Sequence, residues 1–338
     1  MTTNHRIVVS RRGGPEVLQL VESPLPAPAA GEARVRVEAA GVSAYDVMLR
    51  GHRFPGFTKV PYTPGADVVG IVDELGADVD GLPVGQRVAA STGLSEGGYA
   101  EFICLPADTL VPVPDGVDPA EAACLPANYL TAYLAMHGTA RVESGERVLV
   151  HGAAGGVGSA LLELGSLAGL EMYGTASAHN HAFVRKLGAT PIDYRTEDFV
   201  ERIRAYTGKG VDAVFDPIGG WRQIWRSYRS LRRGGRLVWF GVAATSRKGM
   251  WVIPASLAMQ GLVSIIPDGR HAPLMSNAGT LAGGETAWYR STLTELLDYL
   301  AAGKIHPIVA DRIPLAEAAR AHELIERGGY AGKVVLEP

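Results

Sequence analysis

The chain of 338 residues predicts an α/β protein of two domains, one a small β-barrel and the other a doubly wound parallel sheet. Three observations carry this. Residues 1–125 are rich in Val, Gly and Pro and alternate between apolar and polar positions. Residues 147–240 alternate short strand and helix patterns. Between the first strand and helix of that second run lies a glycine-rich turn, in RVLVHGAAGGVGSALLELGSLAG over Arg147–Gly169. At this length each domain can bury its own core.

In the first part, period-two stretches at Ala33–Ala40 (ARVRVEAA), Val68–Leu75 (VVGIVDEL) and Gln86–Ala90 (QRVAA) read as strands, set apart by turns such as Pro64-Gly65. From Pro119 the pattern turns helical (PAEAACLPANYLTAYLAMHGTA). Strands then follow at Arg147–His151, Glu171–Ala176, Ile192–Tyr194, Ala213–Phe215 and Arg236–Phe240, with helices Val157–Gly169, His179–Leu187, Glu197–Tyr206 and Trp221–Leu231 between them. This alternation marks a doubly wound sheet. A last apolar strand is expected at Leu262–Ile266, then a loop over Pro267–Gly284 that closes over substrate or pairs between subunits. A helix at Glu285–Ala302, a strand at Ile308–Ile313, a helix at Ala316–Arg327 and a strand at Lys333–Leu336 complete the chain. The terminal elements are expected to rejoin the barrel, giving a barrel domain of residues 1–126 and 269–338 and a nucleotide domain of 127–268. The cleft between the two is the expected active site.

Composition narrows the function classes. Net charge is −3 with 20% charged residues, which offers no large attraction to nucleic acid or an anionic membrane. The basic run Arg229–Arg236 reads as a solvated helix end. Cys104 and Cys124, the two cysteines, form neither a metal-ligand pair nor a disulfide framework, which fits a reducing compartment. The N-terminal stretch runs into a strand pattern without an apolar secretory core, and no apolar run approaches a membrane span. A cytoplasmic protein is expected.

The glycine turn is where a dinucleotide should bind. Ala153, Gly155 and Gly158 take the three small-residue positions of a dinucleotide fingerprint, Gly156 adds a further glycine, and Val157 completes the helix start. A pyrophosphate reaches backbone N–H groups at a helix N-terminus only if no Cβ intervenes. The last small residue lets that helix pack on its strand. A tight turn before any helix can look alike, but here a strand precedes, a helix follows and a second strand comes after.

Several segments in this order resemble the medium-chain dehydrogenase/reductases, specifically their zinc-free quinone oxidoreductase branch. They are GGPEVLQL at Gly13–Leu20, AAGVSAYDVMLRG at Ala39–Gly51, PYTPGADVVGIV at Pro61–Val72, VGQRVAA at Val84–Ala90, GGYAEF at Gly97–Phe102, LPANYLTAYLAM at Leu125–Met136, HGAAGGVG at His151–Gly158 and GKVVLEP at Gly332–Pro338. The resemblance implies a GroES-like barrel domain, a Rossmann domain and a homodimer paired through the edge strand Gly261–Ile266. It also implies what is missing. Zinc-dependent relatives take ligands from a cysteine after the Gly-Val pair and a histidine after the Pro-Gly pair, where this chain has Ser43 and Ala66. Asp67 remains, but a lone carboxylate makes a poor zinc site and is read as structural, paired within its loop. No metal is expected.

The choice of dinucleotide rests on the end of the second Rossmann strand. An acid there would bind the ribose of NAD and repel the extra phosphate of NADP. This chain instead has Gly174-Thr175-Ala176-Ser177 and then Ala178-His179-Asn180-His181. NADPH is therefore the expected cofactor, with Ser177 and His181 or Asn180 as donors. In the family a tyrosine ends the next strand, and Tyr194 matches it; the lysine often found in the loop is absent. Thr131, which matches a family position beside the nicotinamide, Gly241 and Lys333 complete the cofactor candidates.

Hydride transfer to a quinone or an α,β-unsaturated carbonyl leaves an enolate-like oxygen that needs hydrogen-bond donors. Ser43 and Tyr45 lie on the segment that faces the nicotinamide in the family. Asn128, Tyr129 and Thr131 lie on the crossing helix, and a tyrosine could also protonate the carbanion. Tyr129 and Tyr133 also fit core packing, which is preferred for Tyr133. Arg50 and His52 are candidates for the cleft mouth or ordinary loop residues. Two alternatives stay open: a dedicated enoyl reductase or tailoring ketoreductase, and an NADPH-binding structural or interaction protein without turnover.

Overall fold

The computed structural model describes residues 3–51, 59–92, 97–273, 275 and 286–338. They form two compact units, one of Met1–Leu130, Asn277–Gly328 and Gly332–Pro338, the other of Thr131–Ser276 and Gly329–Ala331. His52 and most of the loop from Leu274 to Glu285 lie outside the described residues.

In the first unit, β1 (Thr3–Val9) and β2 (Leu18–Pro24) form an antiparallel pair. A larger sheet contains β3 (Glu32–Val42), β4 (Asp67–Leu75), β5 (Arg87–Ser91), β6 (Phe102–Pro106), β7 (Val111–Pro112), β13 (Val309–Pro314) and β14 (Lys333–Glu337). Its order is β13-β14-β3-β4-β5-β7, with β6 also on β3. Side chains alternate along β3. Val35, Val37 and Ala39 go inward, while Arg34 pairs with Asp73 and Glu74 and Glu38 with Arg87 on the other face. This is the GroES-like barrel.

The second unit contains a parallel sheet of β8 (Arg147–His151), β9 (Glu171–Ala176), β10 (Ala189–Asp193), β11 (Val211–Asp216) and β12 (Leu231–Trp239), ordered β10-β9-β8-β11-β12. Strand order reverses between β8 and β11, as in a Rossmann sheet. Leu149, Tyr173, Val214 and Leu237 from the strands meet Phe199, Ile203, Ile224 and Tyr228 from helices in one buried cluster.

Three expectations change. Leu262–Ile266 is not a strand: α9 runs over Val252–Ser264. A short apolar run fits either structure, and the helix is fixed by burial of Val252, Ser256, Gln260 and Val263 at helical spacing. Pairing through an edge strand at Gly261–Ile266 is therefore not available. Arg229–Arg236 is not a solvated helix end. It crosses into β12, where Arg232 pairs with Asp212, and Arg236 pairs with Glu146 and donates to Ala140 O. The helix expected from Pro119 is broken by π-helical turns at Leu125–Tyr129 and Leu134–Ala140. Pro126 supplies no N–H to the first of them. Among the described residues no helix is long and apolar enough to cross a membrane.

Candidate functional site

The glycine turn follows β8 directly. Gly152 adopts φ +63°, a conformation that L side chains rarely take, and turns the chain so that Ala153 N–H can bond Thr175 O at 3.0 Å. Ala153 is buried: it fills the space over Gly174, where a Cβ would stand 2.7 Å from the Ala153 Cβ. This accounts for alanine in the first fingerprint position. Gly155 caps α4 (Gly156–Leu167) with no side-chain bond of its own, and a Cβ there would meet only Gly152 O at 3.3 Å. A Cβ on Gly158 would stand 2.2 Å from the same oxygen and 2.8 Å from Ala153 Cα. Gly155, Gly156 and Val157 thus form the accessible part of the turn, while Ala153 and Gly158 let the helix pack. First-turn N–H groups have no acceptor within the helix, which suits a phosphate. Gly152, exposed and left-handed, belongs with them; its place before Ala153 was legible but not used.

The register of β9 on β10 pairs Ala176 with Asp193, so Ser177 and Tyr194 leave neighbouring strand ends. Ser177 Oγ is 3.4 Å from His179 Nε2, His181 Nε2 is buried with no partner among the described residues, and Tyr194 is half exposed. Arg195 stacks its guanidinium over the Tyr194 ring at 5.8 Å, a cation beside this group that sequence reasoning left out. Gly241 presses its bare Cα against Pro217, where a Cβ would meet Pro217 O at 2.6 Å.

In the first unit, Ser43 caps α1 (Ala44–Arg50) in a capping box. Its hydroxyl accepts from Asp46 N and donates to Asp46 Oδ2 at 2.7 Å. The S-x-x-D spacing fits such a box. Asp46 also accepts Ser43 N–H at 2.8 Å and Gly65 N–H at 3.2 Å. Burial pushes the Asp46 pKa up and these donors pull it back. Tyr99, buried beside Asp46, is held well above the ordinary phenol range by burial and by that carboxylate. Tyr99 Oη is 3.3 Å from His322 Nε2, and His322 Nδ1 is 3.2 Å from Arg50. Burial and Arg50 hold the His322 pKa down at about 3. Arg50 is 1% exposed and pairs with Glu326, so it is neither a cleft-mouth nor a loop residue. A sequence shows an arginine's charge but not the buried partners that keep it inside.

Tyr45 packs half-buried against Val9, Val17, Leu49 and Tyr62. Asn128 and Tyr129 are buried in the π-helical turn. Thr131 falls in the second unit. Tyr133 is half-buried, its ring 4.6 Å from that of His137.

Asp67 and Lys333 form a buried ion pair between β4 and β14. Asp67 is therefore paired across the sheet rather than within its loop, and Lys333 lies in the core of the first unit. Burial pushes the Asp67 pKa up, and Lys333 pulls it back. The donor set does not fit zinc. The Ser43 proton is committed to Asp46, Ala66 has no donor atom, and the Asp67 carboxylate already carries an ammonium.

Comparison with known proteins agrees with this geometry. A family described as alcohol dehydrogenase GroES-like domain matches residues 29–115, and one described as zinc-binding dehydrogenase matches residues 187–336. The chain is 31% identical to quinone oxidoreductase of Mus musculus, covering 96% of this chain and 95% of that one. It is 30% identical to a synaptic vesicle membrane protein VAT-1 homolog of Danio rerio, covering 99% and 70%. Among solved structures, a mycobacterial protein in complex with NADPH superposes with TM-score 0.85 at 31% identity, covering 99% and 100%. Quinone oxidoreductase of Pseudomonas syringae pv. tomato does so with TM-score 0.86 at 31%, over 99% and 100%. The CurK enoyl reductase does so with TM-score 0.84 at 27%, over 99% of each. With barrel, Rossmann sheet and glycine turn all matched along the chain, it belongs to the medium-chain dehydrogenase/reductase superfamily, in its quinone oxidoreductase branch.

Proposed function

We propose that the protein is a zinc-independent, NADPH-dependent oxidoreductase that reduces a quinone or an α,β-unsaturated carbonyl. The observation that carries the reading is the pairing of Asp67 with Lys333 where zinc-dependent relatives would build a metal site. Without a metal to polarise a carbonyl, a substrate that is already electron-poor is favoured. The NADPH complex of the mycobacterial relative and the quinone oxidoreductases at 31% identity support the cofactor and the substrate class.

Bound at the glycine turn, NADPH would supply a hydride. The chain's own part begins with the first-turn N–H groups of α4, which meet the pyrophosphate over Gly155 and Gly156. Ser177, His181 and Tyr194 face the 2′-phosphate without a carboxylate to repel it, and Gly241 completes the cofactor set. Tyr45, Asn128, Tyr129 and Thr131 are the candidate donors to a developing enolate oxygen, and a phenol among them would give the proton. Ser43 shapes the segment. A homodimer belongs to the same proposal, though not through a strand edge at Gly261–Ile266.

A second reading, a dedicated enoyl reductase, is favoured by the likeness to the CurK enoyl reductase. Turnover of NADPH against quinones, enones and enoyl thioesters tests both. Turnover with enoyl thioesters alone selects the second. NADPH binding with no turnover on any of them returns the protein to a binding or structural role.

A further inference from the structure

Side chains at three strand ends of the second unit and Ser227 of the helix Trp221–Arg229 form one hydrogen-bonded chain. Gly152 N lies 3.3 Å from Thr175 Oγ1, which lies 3.0 Å from His151 Nδ1. His151 Nε2 is 3.1 Å from Ser227 Oγ, and Ser227 Oγ is 2.7 Å from Asp216 Oδ2. The other carboxylate oxygen accepts the N–H groups of Ile218 at 2.8 Å and Gly219 at 3.1 Å. His151, Thr175, Asp216 and Ser227 are each at most 1% exposed.

The direction of every bond follows from valence. A carboxylate only accepts, so Ser227 gives its proton to Asp216, and its oxygen takes the Nε2–H of His151. Burial keeps His151 neutral, which leaves Nδ1 bare to accept the Thr175 hydroxyl. The Thr175 oxygen then accepts Gly152 N–H. Serine, histidine and aspartate together resemble a hydrolytic set, but here the serine proton points at the aspartate and the group is sealed from solvent, so it holds no nucleophile.

The place of this chain matters. Gly152 opens the turn after β8 and Asp216 ends β11, the two neighbours between which strand order reverses and open α/β sheets bind ligands. Pro217 touches both sides: a Cβ on Gly152 would stand 3.6 Å from its Cγ, and one on Gly241 would stand 2.6 Å from its carbonyl oxygen. The glycine turn and Gly241 are thus held around one short segment, which Asp216 pins through its two backbone bonds.

We propose that His151, Thr175, Ser227 and Asp216 are positioning residues for the dinucleotide, locking the Gly152 turn and the Asp216–Gly220 turn in one fixed relation so that a ligand spanning both meets preset turns. This rests on the NADPH reading above. A fragment that needs only the first turn should be nearly indifferent to the chain, whereas the whole dinucleotide should not.

The test is calorimetric titration of the full-length protein and of Thr175→Val, Thr175→Ser, Ser227→Ala and the Thr175→Val/Ser227→Ala double variant, with NADPH and with 2′,5′-ADP. Each single removal should weaken NADPH about tenfold and 2′,5′-ADP less than about threefold, and Thr175→Ser should restore binding. The double variant should lose little more than either single one, because both cuts break the same chain. Ser227→Ala, which deletes one oxygen, carries the test if Thr175→Val does not fold. Unchanged NADPH affinity in a folded variant, equal losses for both ligands, or additive losses of about a hundredfold would overturn the proposal. If the unmodified protein binds NADPH and only Gly155→Val loses it, the positioning role fails and the cofactor site stands. If the unmodified protein binds no NADPH, both fall.

Discussion

The ammonium of Lys333 sits on the carboxylate of Asp67, both side chains buried, and ties the C-terminal strand to the strand after the Pro64-Gly65 turn. A Cβ on Gly41 would stand 2.2 Å from Lys333 Cε and 2.9 Å from Asp67 Oδ2, so the glycine leaves room for the pair. Breaking a buried pair leaves one charge unpaired. Lys333→Met should therefore destabilise the protein by about 3–5 kcal/mol in urea unfolding, and adding Asp67→Asn should recover most of it. A loss below about 1 kcal/mol would mean the pair is solvated like a surface ion pair.

Ser43 cannot lend its proton to an enolate while it donates to Asp46. Ser43→Ala should cost about 1 kcal/mol of stability through the lost cap and lower turnover less than about tenfold. A loss of about a hundredfold at unchanged KM would make Ser43 an oxyanion donor after all. The same single-turnover assay on Tyr45→Phe, Tyr129→Phe and Thr131→Val decides which donor carries the charge.

Gly155 and Gly158 should respond differently to valine. Gly155→Val brings its Cβ 3.3 Å from Gly152 O alone and keeps an extended backbone, so it should fold after a small shift and lose NADPH affinity by at least about tenfold. Gly158→Val drives a side chain into Gly152 O and Ala153 and should lose about 1–3 kcal/mol or more of stability instead. A stable Gly158→Val protein would refute the packing role.

His322 sets a pH dependence of stability. Its folded pKa is about 3 against an ordinary 6.5, so the unfolded chain takes up a proton first as pH falls. The contribution is full above pH 6.5 and is lost progressively toward pH 3. Relative to His322→Gln, the unmodified protein should lose about 3 kcal/mol between pH 7 and pH 4. Parallel curves for the two proteins would show that His322 is not neutral and buried in solution.

The strands and helices of the Rossmann sheet were legible because glycine turns and apolar runs alternate there without ambiguity. Leu262–Ile266 was not, since five apolar-rich residues fit strand and helix alike, and only the buried side of α9 decides. Within the site, Ser43 was picked out by its place after Gly41-Val42, but its partner Asp46 was not. His151, Thr175, Asp216 and Ser227 each end or flank a different element, and nothing local in the chain announces that they meet. Arg50 and Lys333 were misplaced for the same reason: the partner that makes burial tolerable lies hundreds of residues away.

The central claim is hydride transfer from NADPH to a conjugated carbonyl or quinone without a metal. It is tested most directly by mixing chelator-treated, NADPH-loaded protein with a panel of quinones, enones and enoyl thioesters and following NADPH absorbance in a single turnover. Oxidation of bound NADPH by at least one member of the panel is expected, at a rate unchanged by chelation. Bound NADPH that persists with every substrate, or oxidation that stops on chelation and returns with zinc, would contradict it.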